Sequence, residues 1–207
     1  MRRTLLVSIL AVVGACGDDG GSSGQVDAST DGSTVDSSTV DAAIDAPAGV
    51  FTLMSLTLTG GAVIPVVHTC DGANTSPALS WENPPPGTMS YAIVFTDKTN
   101  GLIHAVIYDI PMARTDLPAD VDKVYAPPDV PGAHQTTAYP VNNPPRGYLG
   151  PCPPPADPAH SYEFMLYALN VPTLPTATMA TSRMDARTLI QANDIAMVAL
   201  TGTVDRN

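Results

Sequence analysis

Asp97, His104 and His160 are the side chains of this sequence whose types could carry chemistry. Two imidazoles and a carboxylate suit a transition metal, and the same three groups could serve a hydrolase as proton carriers. Cys152 stands shortly before His160 and raises a third possibility, a thiol nucleophile beside an imidazole base. That cysteine lies in Gly150-Pro-Cys-Pro-Pro154, and a cysteine held between prolines, with Cys70 available as a partner, reads as structural. His68 and His134 belong to no paired motif and read as loop or strand-end residues. Asn74-Thr-Ser76 fits a glycosylation sequon by pattern alone.

Elements that could position these groups are legible as apolar runs bounded by Gly, Pro, Asn or Asp, at residues 51–58, 91–96, 103–110, 162–169 and 195–203. The first run alternates through Phe51 and Leu53 and then slips to Leu56 and Leu58, which predicts a bulge. Tyr91-Ala-Ile-Val-Phe95 and Ile103-His-Ala-Val-Ile-Tyr108 are nearly continuous apolar runs, as central strands covered on both faces require. One helix is predicted over 183–192, with Ser182 as N-cap and Asp185 three residues on. Pro-rich stretches at 83–87, 126–132 and 142–158 read as loops. The fold class is therefore mainly β with few helices.

The chain has 207 residues, nine Lys plus Arg against twenty Asp plus Glu, and a net charge of −11. Phosphates of nucleic acid would be repelled, so nucleic acid is excluded as a partner. Much of the acidity is local. Residues 17–49 hold seven Asp, no Lys or Arg and no aromatic side chain, and consist mostly of Gly, Ser, Thr and Ala. A segment of that composition buries too little apolar surface to offset its ordering entropy and reads as a solvated tether.

Ahead of the tether, Arg2 and Arg3, an apolar stretch from Leu5 to Val13, and Gly14-Ala15 before Cys16 have the layout of a secretory signal. Val13-Gly14-Ala15-Cys16 resembles a bacterial lipobox, in which cleavage precedes a cysteine that is then acylated. The expected organisation is a signal peptide at 1–15, a lipidated Cys16 with its acidic tether at 16–49, and one domain at 50–207. This describes an exported bacterial lipoprotein, held at the membrane by its N-terminal acyl chains and facing the periplasm or the cell surface. With Cys16 acylated, Cys70 and Cys152 are an even pair in an oxidising compartment. They form either a disulfide closing a loop of about eighty residues or two separate buried thiols.

Several blocks of the domain carry a family pattern. Thr69-Cys-Asp-Gly-Ala-Asn-Thr-Ser-Pro-Ala-Leu-Ser-Trp81, Tyr91-Ala-Ile-Val-Phe-Thr-Asp97, His104-Ala-Val-Ile-Tyr-Asp-Ile-Pro111, Tyr148-Leu-Gly-Pro-Cys-Pro-Pro154 and His160-Ser-Tyr-Glu-Phe-Met-Leu-Tyr-Ala-Leu169 occur in order. Together they resemble the phosphatidylethanolamine-binding protein family, and within it the bacterial Raf-kinase-inhibitor-like branch. The resemblance implies a β-sandwich of a large central antiparallel sheet and a smaller one, with short helices at the C-terminal side. It also implies a small anion-accepting pocket at one end of the large sheet. Residue by residue, that pocket maps onto Asp97, His104, Gly150, Pro151, Pro153, His160 and Tyr162. On this view a protonated histidine attracts phosphate, a carboxylate behind it sets its tautomer and raises its pKa, Tyr162 offers a hydroxyl, and the prolines form a rigid wall.

The sequence departs from the family at three places. Asp97-Lys-Thr-Asn-Gly101 replaces Asp-Pro-Asp-x-Pro, Ser161 stands where the family prefers Arg, and Ala105 replaces an aromatic residue. The expected function is a non-enzymatic binding protein for a small anion or phosphorylated headgroup, with no cofactor and no metal. Inhibition of a protease or kinase through the pocket rim is the alternative within binding, a protein target then being the partner. A hydrolase or metal-dependent enzyme using the Asp/His/His cluster is the alternative in catalysis.

Overall fold

The computed structural model describes residues 49–139 and 146–207. The expected signal, Cys16 and the tether up to residue 48 lie outside the described residues, as do residues 140–145.

Among the described residues, eight strands form two antiparallel sheets. The smaller sheet has the order β1 (Thr52–Met54), β2 (Leu79–Glu82), β5 (Asp116–Leu117). The larger has the order β6 (His134–Gln135), β4 (Leu102–Pro111), β3 (Ser90–Asp97), β7 (His160–Leu169), β8 (Asp194–Val204). This is the mainly β sandwich expected.

The uninterrupted apolar runs of β3 and β4 follow from what covers each face. Tyr91, Ile93 and Phe95 point into the core between the sheets, where they meet Leu53, Leu79 and Trp81. Ala92 and Val94 point the opposite way and pack in a second core that includes Ala186 and Ile190 of helix α1 (Arg183–Gln191). Both faces of the central strands are thus withdrawn from water, and each large apolar side chain so buried contributes roughly 1.5–3 kcal/mol. Helix α1 starts where the capping pattern places it. The Ser182 hydroxyl accepts the Asp185 N–H at 3.1 Å and donates to the Asp185 carboxylate at 2.7 Å.

The first predicted run is mostly not strand. Pairing with β2 stops at Met54, and Leu56 is 99% exposed, so no bulge forms there. Where the chain leaves the sheet, the Ser55 hydroxyl donates to the Ala78 carbonyl at 2.7 Å. Strands β2, β5 and β6 were not anticipated. At two to four residues each they are too short to show alternation, and they are defined by pairing with a neighbouring strand.

Candidate functional site

The end of the large sheet where β3 finishes and β4 and β7 begin holds four of the polar residues singled out in the sequence. Asp97 closes β3 and pairs across the ladder with Tyr162, while His160 opens β7. His104 arrives by a different route. Phe95 pairs with Ala105, but Thr96 pairs with Ile103, which leaves His104 as the extra residue of a bulge. In an unbroken strand, neighbouring side chains point to opposite faces. Here Ala105 lies in the inter-sheet core and the His104 ring also approaches rings of that core, 5.3 Å from Phe95 and 5.7 Å from Tyr162.

The β3–β4 turn is built on Asp97. Its Oδ1 accepts the Thr99 N–H at 2.9 Å, and its Oδ2 accepts the Asn100 side-chain amide at 3.1 Å and His160 Nδ1 at 2.7 Å. The side chain is buried, so these three bonds are what compensate its lost hydration. This use of both oxygens makes Asp97 a scaffold for the site rather than a free carboxylate. Donation from Nδ1 leaves His160 Nε2 facing the carboxylate of the half-exposed Asp157, at 3.5 Å.

Opposite the turn, residues 148–154 form a wall docked on the segment around the Val66–His68 turn. The Tyr148 hydroxyl donates to the His68 carbonyl at 2.7 Å, the Gly150 N–H to Asn74 Oδ1 at 2.7 Å, and the Cys70 N–H to the Pro151 carbonyl at 3.0 Å. Glycine is required at 150 because an added Cβ would overlap the His68 carbonyl oxygen. A disulfide joins Cys70 and Cys152, with their Cα atoms 5.4 Å apart, so the thiol needed for nucleophilic chemistry is not available. Arg206 completes the dock with a bidentate pair to Asp71, both bonds 2.7 Å, and a bond to the Pro153 carbonyl at 3.0 Å.

Between turn and wall lies a cavity of about 400 Å³. Of the residues predicted for the site, Asp97, His104, Gly150, Pro153, His160 and Tyr162 line it. Pro151 does not. It is buried behind the wall, with its carbonyl turned to Cys70, and Cys152 and Pro154 take lining positions instead. Asn100, Leu102, Tyr139 and Leu149 complete the lining. Lys98 does not reach the cavity and pairs with Glu163 of β7 at 3.0 Å. Among the described residues, no three His, Cys, Asp or Glu side chains converge as a metal site requires.

The expectation of a carboxylate behind a histidine named neither ring, and His104 is the one that lacks such a bond. Burial holds its pKa below the ordinary imidazole value of 6.5, outweighing the upward pull of its bond to the Leu149 carbonyl and of Asp97. The Asp97 carboxylate bonds His160. His104 Nδ1 donates to the Leu149 carbonyl at 3.1 Å, so Nε2 is the nitrogen left to take up a proton. Tyr162 is pushed up, by burial first and then by Asp97, and therefore keeps its hydroxyl proton as a donor.

Asn74, Asp71 and Arg206 also build the site, the first two from within the Thr69–Trp81 block and the third from outside every block. Asn74 matched a sequon, yet its side chain holds the Gly150 N–H and its backbone sits at φ 58°. Its place after Asp71-Gly72, in a stretch of turn formers, was the available signal. Arg206 and Asp71 are distant in sequence, and nothing local announces their pairing. His68 and His134 are structural, as read. His68 bridges the Thr57 hydroxyl and the Thr75 carbonyl, each at 2.9 Å, and His134 meets Asp109 at 3.1 Å.

Comparison with known proteins agrees with this architecture. The profile of the phosphatidylethanolamine-binding protein family matches residues 55–205. An Aquifex aeolicus protein named UPF0098 is 34% identical over 162 residues, covering 76% of this chain and 90% of that protein. Mycobacterium tuberculosis LppC, whose name marks it as a candidate lipoprotein, is 32% identical over 195 residues, covering 90% of this chain and 87% of LppC. Residues 49–207 alone cannot supply that extent, so the match to LppC continues into the N-terminal segment. The crystal structure of Escherichia coli YbcL, titled a new member of the mammalian PEBP family, superposes with a TM-score of 0.64 at 28% identity, covering 75% of this chain and 98% of YbcL. The sandwich, the profile match over most of the chain and these relatives lead to one conclusion: this chain belongs to the phosphatidylethanolamine-binding protein family.

Proposed function

We propose that this protein is an exported, lipid-anchored binding protein, and that the cavity between the β3–β4 turn and the Gly150–Pro154 wall takes a small anion or phosphorylated headgroup without chemically transforming it. The observation that carries the reading is the convergence of His104, His160 and the Tyr162 hydroxyl on one preformed cavity walled by Pro153 and Pro154. Prolines stiffen the wall and bring no competing N–H, so few degrees of freedom are lost on binding.

Titration calorimetry with inorganic phosphate and phosphoethanolamine tests this. Binding by the wild type that His104→Ala and His160→Ala each weaken by about ten-fold or more supports it, since a charge-assisted hydrogen bond contributes about 1.5–3 kcal/mol. No binding, or binding indifferent to both substitutions, defeats it. The pH dependence follows from the sign of the His104 shift. A basic group with a lowered pKa is neutral at pH 7 and gains its proton only below the ordinary imidazole range. Phosphate affinity should therefore rise most steeply as pH falls below 6.5, and binding at neutral pH should take up protons. Calorimetry in buffers of different ionisation enthalpy measures that uptake directly, and an affinity flat between pH 5 and 8 would exclude His104 as the cationic contact.

The anchor rests on Val13-Gly14-Ala15-Cys16 and on the match to LppC extending into the same region. Among the described residues no helix is long and apolar enough to cross a membrane. Acylation contributes about 0.8 kcal/mol per buried methylene. Cys16→Ala should move the protein from the membrane fraction to the soluble fraction, and mass spectrometry of the wild-type N-terminus should find acyl chains. An unmodified Cys16 in the mature protein is the outcome that removes the anchor.

A further inference from the structure

We propose that Arg183 supplies the fixed positive charge of the cavity, acting across the Tyr139 ring on whatever anion lies beside His104. The inference rests on the anion reading above and names the residue that gives the site its sign.

The segment after β6 runs alongside β4. The Thr136 N–H donates to the Val106 carbonyl and the Tyr139 N–H to the His104 carbonyl, each at 3.1 Å. This places Tyr139 next to His104, with their ring centroids 6.5 Å apart, and Tyr139 lines the cavity. Arg183 is fastened to that same segment. Its Nη1 donates to the Thr137 carbonyl at 3.1 Å, and its guanidinium carbon lies 5.5 Å from the Tyr139 ring centroid.

Two other cations sit on the turn and the wall that frame the cavity without lining it, and both are spoken for. Lys98, in the turn, is bound to Glu163, and Arg206, on the wall, is bound to Asp71. Among the described residues, Arg183 has no carboxylate within 4.0 Å, so its field is not cancelled by a contact partner. Its position also suits the helix poorly. Arg183 is the first residue of α1, where the helix dipole is positive and a cation is disfavoured. A residue chosen for the helix would be acidic or neutral there, whereas one serving an anion beyond Tyr139 gains from the same field.

The site otherwise leans acidic. Asp97 and Asp157 flank His160, and burial leaves His104 neutral at pH 7. The negative charge of Asp97 in the lining and of Asp157 behind His160 would then act on an anion beside an uncharged His104 ring unless a cation outside the lining supplied the balance. Arg183 is among the groups that hold down the basicity of His104, as a cation close to that ring must.

The test uses the full chain with inorganic phosphate as the probe, followed by calorimetry, and NMR titration of the His104 ring. Arg183→Gln should weaken phosphate about five-fold and flatten its salt dependence, while Arg183→Lys should stay within about two-fold of wild type. The pKa of His104 should rise in Arg183→Gln and remain near wild type in Arg183→Lys, a readout that loss of packing alone would not produce in this pattern. Lys98→Gln, which removes an exposed paired cation, should leave affinity unchanged. Wild-type binding that Arg183→Gln leaves intact, with His104 unmoved, overturns the role of Arg183 and leaves the anion cavity standing. Absence of phosphate binding by the wild type removes the anion reading and this inference with it.

Discussion

Replacing both Cys70 and Cys152 with serine should lower the unfolding free energy by about 4–5 kcal/mol, the loop-entropy value for a cross-link spanning 82 residues. Against a typical domain stability of about 5–15 kcal/mol this is a large fraction. The loss acts mainly on the unfolded chain. In the native state the wall stays docked through Tyr148, Gly150, Pro151 and the Arg206–Asp71 pair, none of which needs the bond. The double variant should therefore keep a native spectrum at low temperature and retain its cavity, but unfold at much lower urea. Equilibrium urea unfolding of the oxidised protein, the reduced protein and the double variant measures this. A difference below about 1 kcal/mol would mean that the reduced unfolded chain is already restrained or that the bond strains the native wall.

Asp97→Ala carries the second large effect. It strips the acceptor from the Thr99 N–H, the Asn100 amide and His160 Nδ1 at once, in a side-chain environment that is buried. Unpaired buried donors cost about 1–3 kcal/mol each, and part of that is recovered as water enters from the adjoining cavity. A net destabilisation of about 3 kcal/mol is expected. Asp97→Asn keeps one acceptor oxygen and the shape of the turn, and His160 can change tautomer to accept from the new amide, so it should lose about half as much. Both variants should weaken phosphate binding, because His160 and the turn lose their alignment even though Asp97 itself offers no free oxygen to a ligand. Thermal or urea unfolding in parallel with calorimetry separates the two consequences. Equal stability of wild type and Asp97→Ala would show that the turn does not depend on its carboxylate.

How much of this was readable in advance depends on the range over which each signal acts. The long strands were legible because Tyr91 to Phe95 and Tyr162 to Leu169 combine apolar character with bounding turn residues. Helix α1 was legible because its cap is local, Ser182 answering Asp185. Strands of two residues, such as Asp116–Leu117, have no local signature and are created by a neighbour. Phe51 to Leu58 misled because apolar content there serves two purposes. Leu53 and Leu58 enter the core, while Leu56 faces water on a chain that has already left the sheet.

For the cavity, residue types in recognisable blocks identified most of the lining, and what they left open was direction. Asp97 was expected behind a histidine without the ring being named; it grips His160, and burial moves the pKa of His104 down. Pro151 was expected in the wall and stands behind it.

The residues alone therefore determined the class of fold, the family pattern, the main strands and the chemical types available at the sheet end, because those properties reside in composition, local periodicity and short motifs. Tertiary structure decided which face His104 takes, through a one-residue slip against β3, and which of the two imidazoles at the sheet end receives the Asp97 carboxylate. It also decided that Cys70 and Cys152 are bonded, and that Arg183 stands beside Tyr139 with no acid to neutralise it. Each of these is a pairing between groups far apart in the chain, set by sheet register and packing, and no local pattern of residues encodes a distance of that kind.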